Sequence, residues 1–221
     1  MSVPHLLLLL PKPLPSGTRV VGQLVTNPNP VAKSTLEPTT LGNRDFDDTH
    51  MTAWYKDIVA MNQAGELTAS LGGSLFLERP AEGTQLLSLE AENTIVRALK
   101  DTSTALKTVC STPEAQAWLR QQVQAGEDVY FVSAVQEAKN ASFKRASVID
   151  AGNGLVKVSR EIEQTGQGGV RRDSGLEVPT GTKNDALALE LRRVVLTDET
   201  GQLSAELGDA LKQDELLALW K

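Results

Sequence analysis

One cysteine, Cys110, in 221 residues excludes an internal disulfide and fits a cytosolic chain. As a nucleophile or lipidation site it has no supporting pattern, so it reads as a small buried hydrophobe. The two histidines, His5 and His50, are too few, even with Cys110, for a zinc site. Asp45, Asp47 and Asp48 cluster, but the glycine and terminal glutamate of a calcium loop are missing. Gly166-Gln167-Gly168-Gly169 carries Arg171 where a dinucleotide fingerprint needs glycine. P-loop, G-x-S-x-G and H-E-x-x-H patterns are absent. No catalytic residue, metal ligand or cofactor is therefore assigned. An enzyme working through paired carboxylates leaves no motif and ranks behind the other readings. The leucine run, Leu6 to Leu10, has no Lys or Arg before it and meets Pro11, Pro13 and Pro15 at once. It is too short for a membrane helix, which needs about 20 residues. It reads as a short strand or arm packed on the body, and the Asn140-Ala141-Ser142 sequon then carries little meaning.

What is present is a globular balance, 40% hydrophobic and 23% charged, with a net charge of −6. The acidity argues against nucleic acid as a partner. The charge is unevenly spread. Residues 1–36 carry Lys12, Arg19 and Lys33 and no acid, while residues 37–138 are strongly acidic. Residues 139–172 carry Lys139, Lys144, Arg145, Lys157, Arg160, Arg171 and Arg172 against three acids. That basic segment suits an anionic surface or is an ordinary solvated face.

The most informative stretch is Ser111 to Phe143. Thr112 can cap a helix, Pro113 suits its first position, Glu114 favours the dipole and Gly126 can end it. Ala115, Trp118, Leu119 and Val123 fall on one helical face. Val129 to Val132 then reads as a strand buried on both faces, running on towards Ala138. Upstream, Thr18 to Val25 reads as a strand, the segment to Asp48 as loop, and Thr52 to Met61 has mixed signals. Residues 66–78 alternate, with Leu67, Leu71 and Leu75 on one face, and Leu87, Leu89, Ala91 and Ile95 alternate after the turn at 79–84. Ser88, Glu90, Glu92 and Thr94 share the other face, so this reads as a long hairpin with one apolar and one polar side. Residues 101–110 read as a connector. Downstream, a turn at 150–154 separates two arms, with Val156 and Val158 on one face of the second. After a glycine-rich break, Leu176 to Thr182 and then Asp185 to Leu196 read as strands, the latter with Leu187, Leu189 and Leu191 in phase. Leu203, Leu207, Leu211, Leu217 and Trp220 read as a terminal amphipathic helix with an acidic outer face.

Four segments in order resemble the pore-forming N-terminal domain of gasdermins. They are Thr18 to Pro30 with Leu36-Glu37-Pro38, the alternating block Gly65 to Val96, Trp118 to Val132, and Leu176 to Leu191. The third is similar to the family's tryptophan-bearing helix and its strand of type G-[DE]-x-[LV]-Y-V-V, the fourth to its V-x-[IV]-P-x-G-[ST] strand entry. The resemblance departs from the animal proteins, since the chain stops soon after the last strand, and from bacterial ones, since no cysteine precedes Cys110. It is therefore closest in form to short fungal cell-death proteins of the family.

The resemblance implies an α+β fold, a central twisted antiparallel sheet with a few helices. Residues 1–196 would form the pore-forming domain and 197–221 a short helical tail. The implied function is a protein that rests in the cytoplasm, binds anionic phospholipid of the plasma membrane and oligomerises into a β-barrel pore, causing lytic cell death. Its partners would be the membrane and further subunits, identical or from a paired allele. Candidate lipid contacts are Lys12, Arg19, Lys139, Lys144, Arg145, Lys157, Arg160, Arg171 and Arg172. The candidate inserting face comprises Leu67, Leu71, Leu75, Leu87, Leu89, Val156, Val158, Leu187 and Leu189. The alternative is a soluble α+β interaction module with no membrane activity.

Overall fold

The computed structural model describes residues 6–30, 34–72, 76–159, 178–179, 181–199 and 202–221. The leucine run opens the first strand, β1 (Leu8–Pro15), with Leu8, Leu9, Leu10 and Leu14 buried. A strand can hold three prolines here because β1 pairs only with β13 (Asn184–Glu199), and proline is tolerated where no N–H is asked for.

The expected strand over Thr18 to Val25 shrinks to β2 (Leu24–Val25), paired with β3 (Thr35–Leu36) and with the central strand β8 (Tyr130–Lys139). The chain turns at Gly22, where φ is +90° and a Cβ would lie 2.3 Å from the Leu41 side chain. A 3₁₀ turn over Asn43–Asp45 leads into β4 (Phe46–Met61), so the loop expected up to Asp48 ends earlier, and the undecided stretch is a 16-residue strand.

The expected hairpin between residues 66–78 and 87–95 is replaced by another pairing. β7 (Gln85–Leu99) pairs with β4 along nearly its whole length, from Phe46↔Leu99 to Met61↔Gln85. The alternating segment between them divides. Its first half, β5 (Leu67–Ser70), folds back on the end of β4 through a tight turn. Asn62 accepts the Glu66 N–H there and Gly65 takes φ +78°. Its second half, β6 (Phe76–Glu78), joins β10 (Ser147–Gly152) and β11 (Leu155–Ser159) in a separate three-stranded sheet.

The connector is a helix, α1 (Thr102–Cys110), capped by Asp101 accepting the Thr104 N–H. Helix α2 (Pro113–Ala125) has the expected ends, with the Thr112 hydroxyl accepting the Ala115 N–H and Gly126 in the left-handed region. Ala115 and Leu119 are buried and Trp118 half-buried, but Val123 is exposed and Gln116 and Gln122 are buried instead. Gln116 has a reason to be inside. Its amide donates to the carbonyls of Cys110 and Leu203 and accepts the Leu203 N–H.

After β8 come β9 (Ser142–Arg145) and, of the expected return arm, β12 (Val178–Pro179), paired with β9. The glycine-rich break and the rest of that arm, within residues 160–177 and at 180, lie outside the described residues. The terminal helix is corrected to a strand, β14 (Gln202–Ala210), and a short helix, α3 (Gln213–Leu219). Leu203 and Leu207 are four apart, which suits a helical face and also two strand alternations. Pairing of β14 with the exposed end of β13 decides for the strand.

The main sheet runs β1-β13-β8-β7-β4-β5 through antiparallel neighbours, with shorter strands alongside. Its two ends, β1 and β5, pack on each other, so the twisted sheet is nearly barrel-shaped. Leu10, Leu106, Leu119, Phe131, Leu191 and Leu216 belong to the main core between sheet and helices. Two smaller apolar clusters sit further along the long strands. The protein is α+β, as expected, with three helices among the described residues.

Candidate functional site

The candidate inserting residues gather in the two smaller clusters, but on different sides. Leu67, Leu89 and Leu187 are buried, and Leu87 half-buried, in a cluster with Leu9, Val59 and Ala138. Val156 and Val158, with half-buried Leu71, belong to the other, with Ile58, Ala60 and Leu86. Val59 lies between Ile58 and Ala60 on β4, so successive residues point into opposite clusters. Leu189 is in the main core, and Leu75 lies outside the described residues. The single apolar face expected is therefore divided between two, and both are covered. The polar face is corrected in the same way, since Ser88 and Thr94 are only 1% exposed.

A buried acid was missed. Asp57 lies on β4 opposite Leu89, 2% exposed, and accepts from the hydroxyls of Ser70 at 2.6 Å and Tyr55 at 3.2 Å. Its other oxygen, Oδ1, has no hydrogen-bond partner among the described residues. Burial, and then the Asp57 charge, pushes the Tyr55 phenol up to about 12. An aspartate within Lys56-Asp57-Ile58-Val59-Ala60-Met61 was the available signal.

The basic candidates have diverse surroundings. Arg19 is 4% exposed, and its guanidinium donates to the carbonyls of Thr18, Asn27, Pro28 and Asn29. Burial lowers its pKa, with the Glu37 charge acting the other way. It fastens a loop and lies away from the surface, which corrects its expected place as a surface cation. Lys12 is exposed on β1, Arg145 is exposed on β9 and Lys157 is half-buried on β11. Arg160, Arg171 and Arg172 fall outside the described residues.

Lys139 and Lys144 are brought together with groups that the sequence scattered. The Lys139 ammonium meets Glu92 at 2.5 Å, and Asn140 Nδ2 donates to the same carboxylate at 2.7 Å. Lys144 meets Glu90 at 3.4 Å, and Lys56, directly across from Glu90 on β4, meets it at 3.7 Å. Those hydrogen bonds from Lys139 and Asn140 hold the Glu92 carboxyl below its ordinary pKa, and the charge of Lys183 adds to them. Four strands thus build a row of lysines around two carboxylates. Lys56 was missed because the pairing of β4 with β7 could not be read from the chain, and Lys183 because the pairing of β13 with β8 could not.

Two residues before Lys56 on β4 comes Trp54, 78% exposed, with φ +53°. A bulky side chain rarely takes that conformation. Among the described residues no helix is long and apolar enough to cross a membrane. The long elements are strands. β4 and β13 have 16 residues, β7 has 15 and β8 has 10.

Fold and site together define an α+β protein with a nearly closed antiparallel sheet, long hairpin strands and a lysine row laid across them. No model of a known family matches the chain, and no curated protein matches it in sequence. Among solved structures it is similar to a bacterial gasdermin from Bradyrhizobium tropiciagri. The two are 14% identical with a TM-score of 0.34, over 91% of this chain and 87% of the other.

Proposed function

We propose that this chain is a gasdermin-like pore-forming protein. It rests in the cytoplasm with its hairpins folded, binds anionic phospholipid at the plasma membrane, and assembles with further subunits into a β-barrel pore that lyses the cell. The observation that carries this reading is the set β13-β8-β7-β4, four hydrogen-bonded neighbours of at least ten residues each. A tilted strand of about 9–11 residues crosses a bilayer, and a closed barrel leaves no backbone edge in lipid. The ordered resemblance of four sequence segments to the gasdermin pore-forming domain supports the same reading.

Burying a leucine stabilises a soluble protein by about 2 kcal/mol, so stripping both small clusters is unfavourable in water. Bilayer hydrocarbon would cover one of the two faces again, and subunit pairing would satisfy the strand edges.

The test is dye release from liposomes. Full-length protein should empty vesicles containing phosphatidylserine and leave pure phosphatidylcholine vesicles intact, with leakage weakening as salt rises. Absence of leakage from anionic vesicles across a wide protein range would instead favour a soluble interaction module.

A further inference from the structure

We propose that Glu90 and Glu92 are built-in counter-ions that mask the lysine row and set how much anionic lipid a membrane must carry before the row engages it. The inference rests on the lipid-binding part of the reading above and concerns its regulation.

The row holds Lys56, Lys139, Lys144 and Lys183 around those two carboxylates, so two of its four positive charges are balanced from within. The ion-paired side chains all keep some exposure, from 27% for Glu90 to 50% for Lys56. Ion pairs in such surroundings contribute little, because water competes and the long side chains must be held still. A lysine there exchanges a carboxylate for a headgroup phosphate at small cost. A zwitterionic surface offers no net charge to drive that exchange, whereas a phosphatidylserine surface does. Trp54 favours a bilayer as the occupant. It is 78% exposed and lies two residues from Lys56 on β4, between Ala53, paired with Asn93, and Tyr55, paired with Ala91, and indole rings prefer the membrane–water interface.

The experiment is vesicle co-sedimentation of the full chain with Glu90→Gln, Glu92→Gln and both together. Glu82→Gln, an exposed acid in the turn before β7, is the control with the same change in net charge. Each row substitution should raise partitioning onto phosphatidylserine vesicles by about fivefold, and the pair by more, because one cation near such a surface contributes about 1 kcal/mol. The salt dependence should steepen in parallel, and phosphatidylcholine vesicles should bind no better. An equal gain with Glu82→Gln would mean that only net charge matters, and overturns the proposal. An equal gain on a heparin column would make the row a general polyanion site and overturns it as a lipid threshold. If wild type binds and leaks but the row variants gain nothing, masking is wrong while the pore reading stands. If the row variants gain as expected and no vesicle leaks, masking stands and pore formation fails. If no form binds anionic vesicles, both fall.

Discussion

The Glu90 carboxylate of β7 lies 3.4 Å from the Lys144 ammonium of β9 and 3.7 Å from that of Lys56 on β4. One acid on the middle strand thus joins the lysines of the strands on either side. The polar face expected at Glu90 and Glu92 and the lipid contacts expected of Lys139 and Lys144 concern one group of side chains.

That group gives an acid sensitivity. The folded pKa of Glu92 is depressed, first by the Lys139 hydrogen bond and then by that of Asn140. A depressed carboxyl contributes stability that is present above its unfolded pKa and lost as pH falls through the folded value. Asp101, held low by the Thr104 N–H, and Asp150, held low by the Gly152 N–H and Arg79, add in the same direction. The melting temperature should therefore be flat near neutrality and decline below about pH 4, the ordinary carboxylate range. Asp101→Asn should make that decline shallower. A melting curve insensitive to acid down to the folded values would contradict this.

Cys110 should be inert. It is 3% exposed, and burial pushes its thiol up to about 12. Thiolate is the reactive form. Native protein should resist a thiol-reactive dye at pH 8 for hours and react at once in denaturant. Rapid labelling of the folded chain would revive the nucleophile and lipidation readings.

Asp57 offers a stability test. Asp57→Ala leaves the Tyr55 and Ser70 hydroxyls without their carboxylate, and should destabilise by about 1–3 kcal/mol in urea unfolding. Adding Tyr55→Phe and Ser70→Ala should recover part of that loss, since no donor then waits for an acceptor. A triple variant weaker than the single one by the sum of the parts would mean that these groups act independently.

The fold was legible where signals were local. Thr112, Pro113 and Gly126 each act within one turn of α2, and Tyr130 to Val132 need only their composition to be a buried strand. The tail misled because Leu203 and Leu207 satisfy both periods, and only the neighbouring end of β13 chooses between them. β4 was illegible because much of its first half is polar or exposed, and Trp54 interrupts its alternation with φ +53°. The site suffered most. Lys56, Glu90, Lys144 and Lys183 are far apart in sequence, and only strand register joins them. The apolar alternation was read correctly as β structure at Leu67–Ser70 and Phe76–Glu78 and assigned to the wrong partner, because a two-residue period identifies a strand and says nothing of its neighbour.

The small sheet supplies a direct test of hairpin release. β6 follows β5 in the first hairpin, and β11 belongs to the second, yet they pair through Phe76↔Lys157 and Leu77↔Val156. In a straight ribbon of β4, β7, β8 and β13 this pairing has to break. Phe76→Cys with Lys157→Cys places two thiols across the pair, where a disulfide can form. Oxidised protein should bind anionic vesicles but release no dye, and reductant should restore leakage. Undiminished leakage from fully cross-linked protein would mean that the two hairpin tips stay together in the active form.

The tail decides between support and restraint. Its six acids against two bases suggest a mask over the basic segment. Yet its described contacts are elsewhere. β14 pairs with β13 and packs on α1 and α2, while α3 packs on β1 and β5. The Gln213 side chain accepts the Leu9 N–H at 3.0 Å and donates to the Leu9 carbonyl at 2.8 Å, and Asn29 donates to the Trp220 carbonyl. Leu203, Leu211, Leu216 and Trp220 are all in the main core. Truncation after Thr200 removes these side chains together and uncovers an edge of β13, so the melting temperature should fall steeply and the protein should aggregate. Gln213→Ala is the gentler probe. It frees the Leu9 backbone groups without emptying the core, and should lower stability by about 1–3 kcal/mol. A tail that only supports the fold gives a Gln213→Ala protein that is less stable and leaks no faster than wild type. A tail that restrains gives faster dye release from anionic vesicles, slowed again by added tail peptide. The position of α3, over the place where β1 and β5 meet, makes leakage the measurement that separates the two.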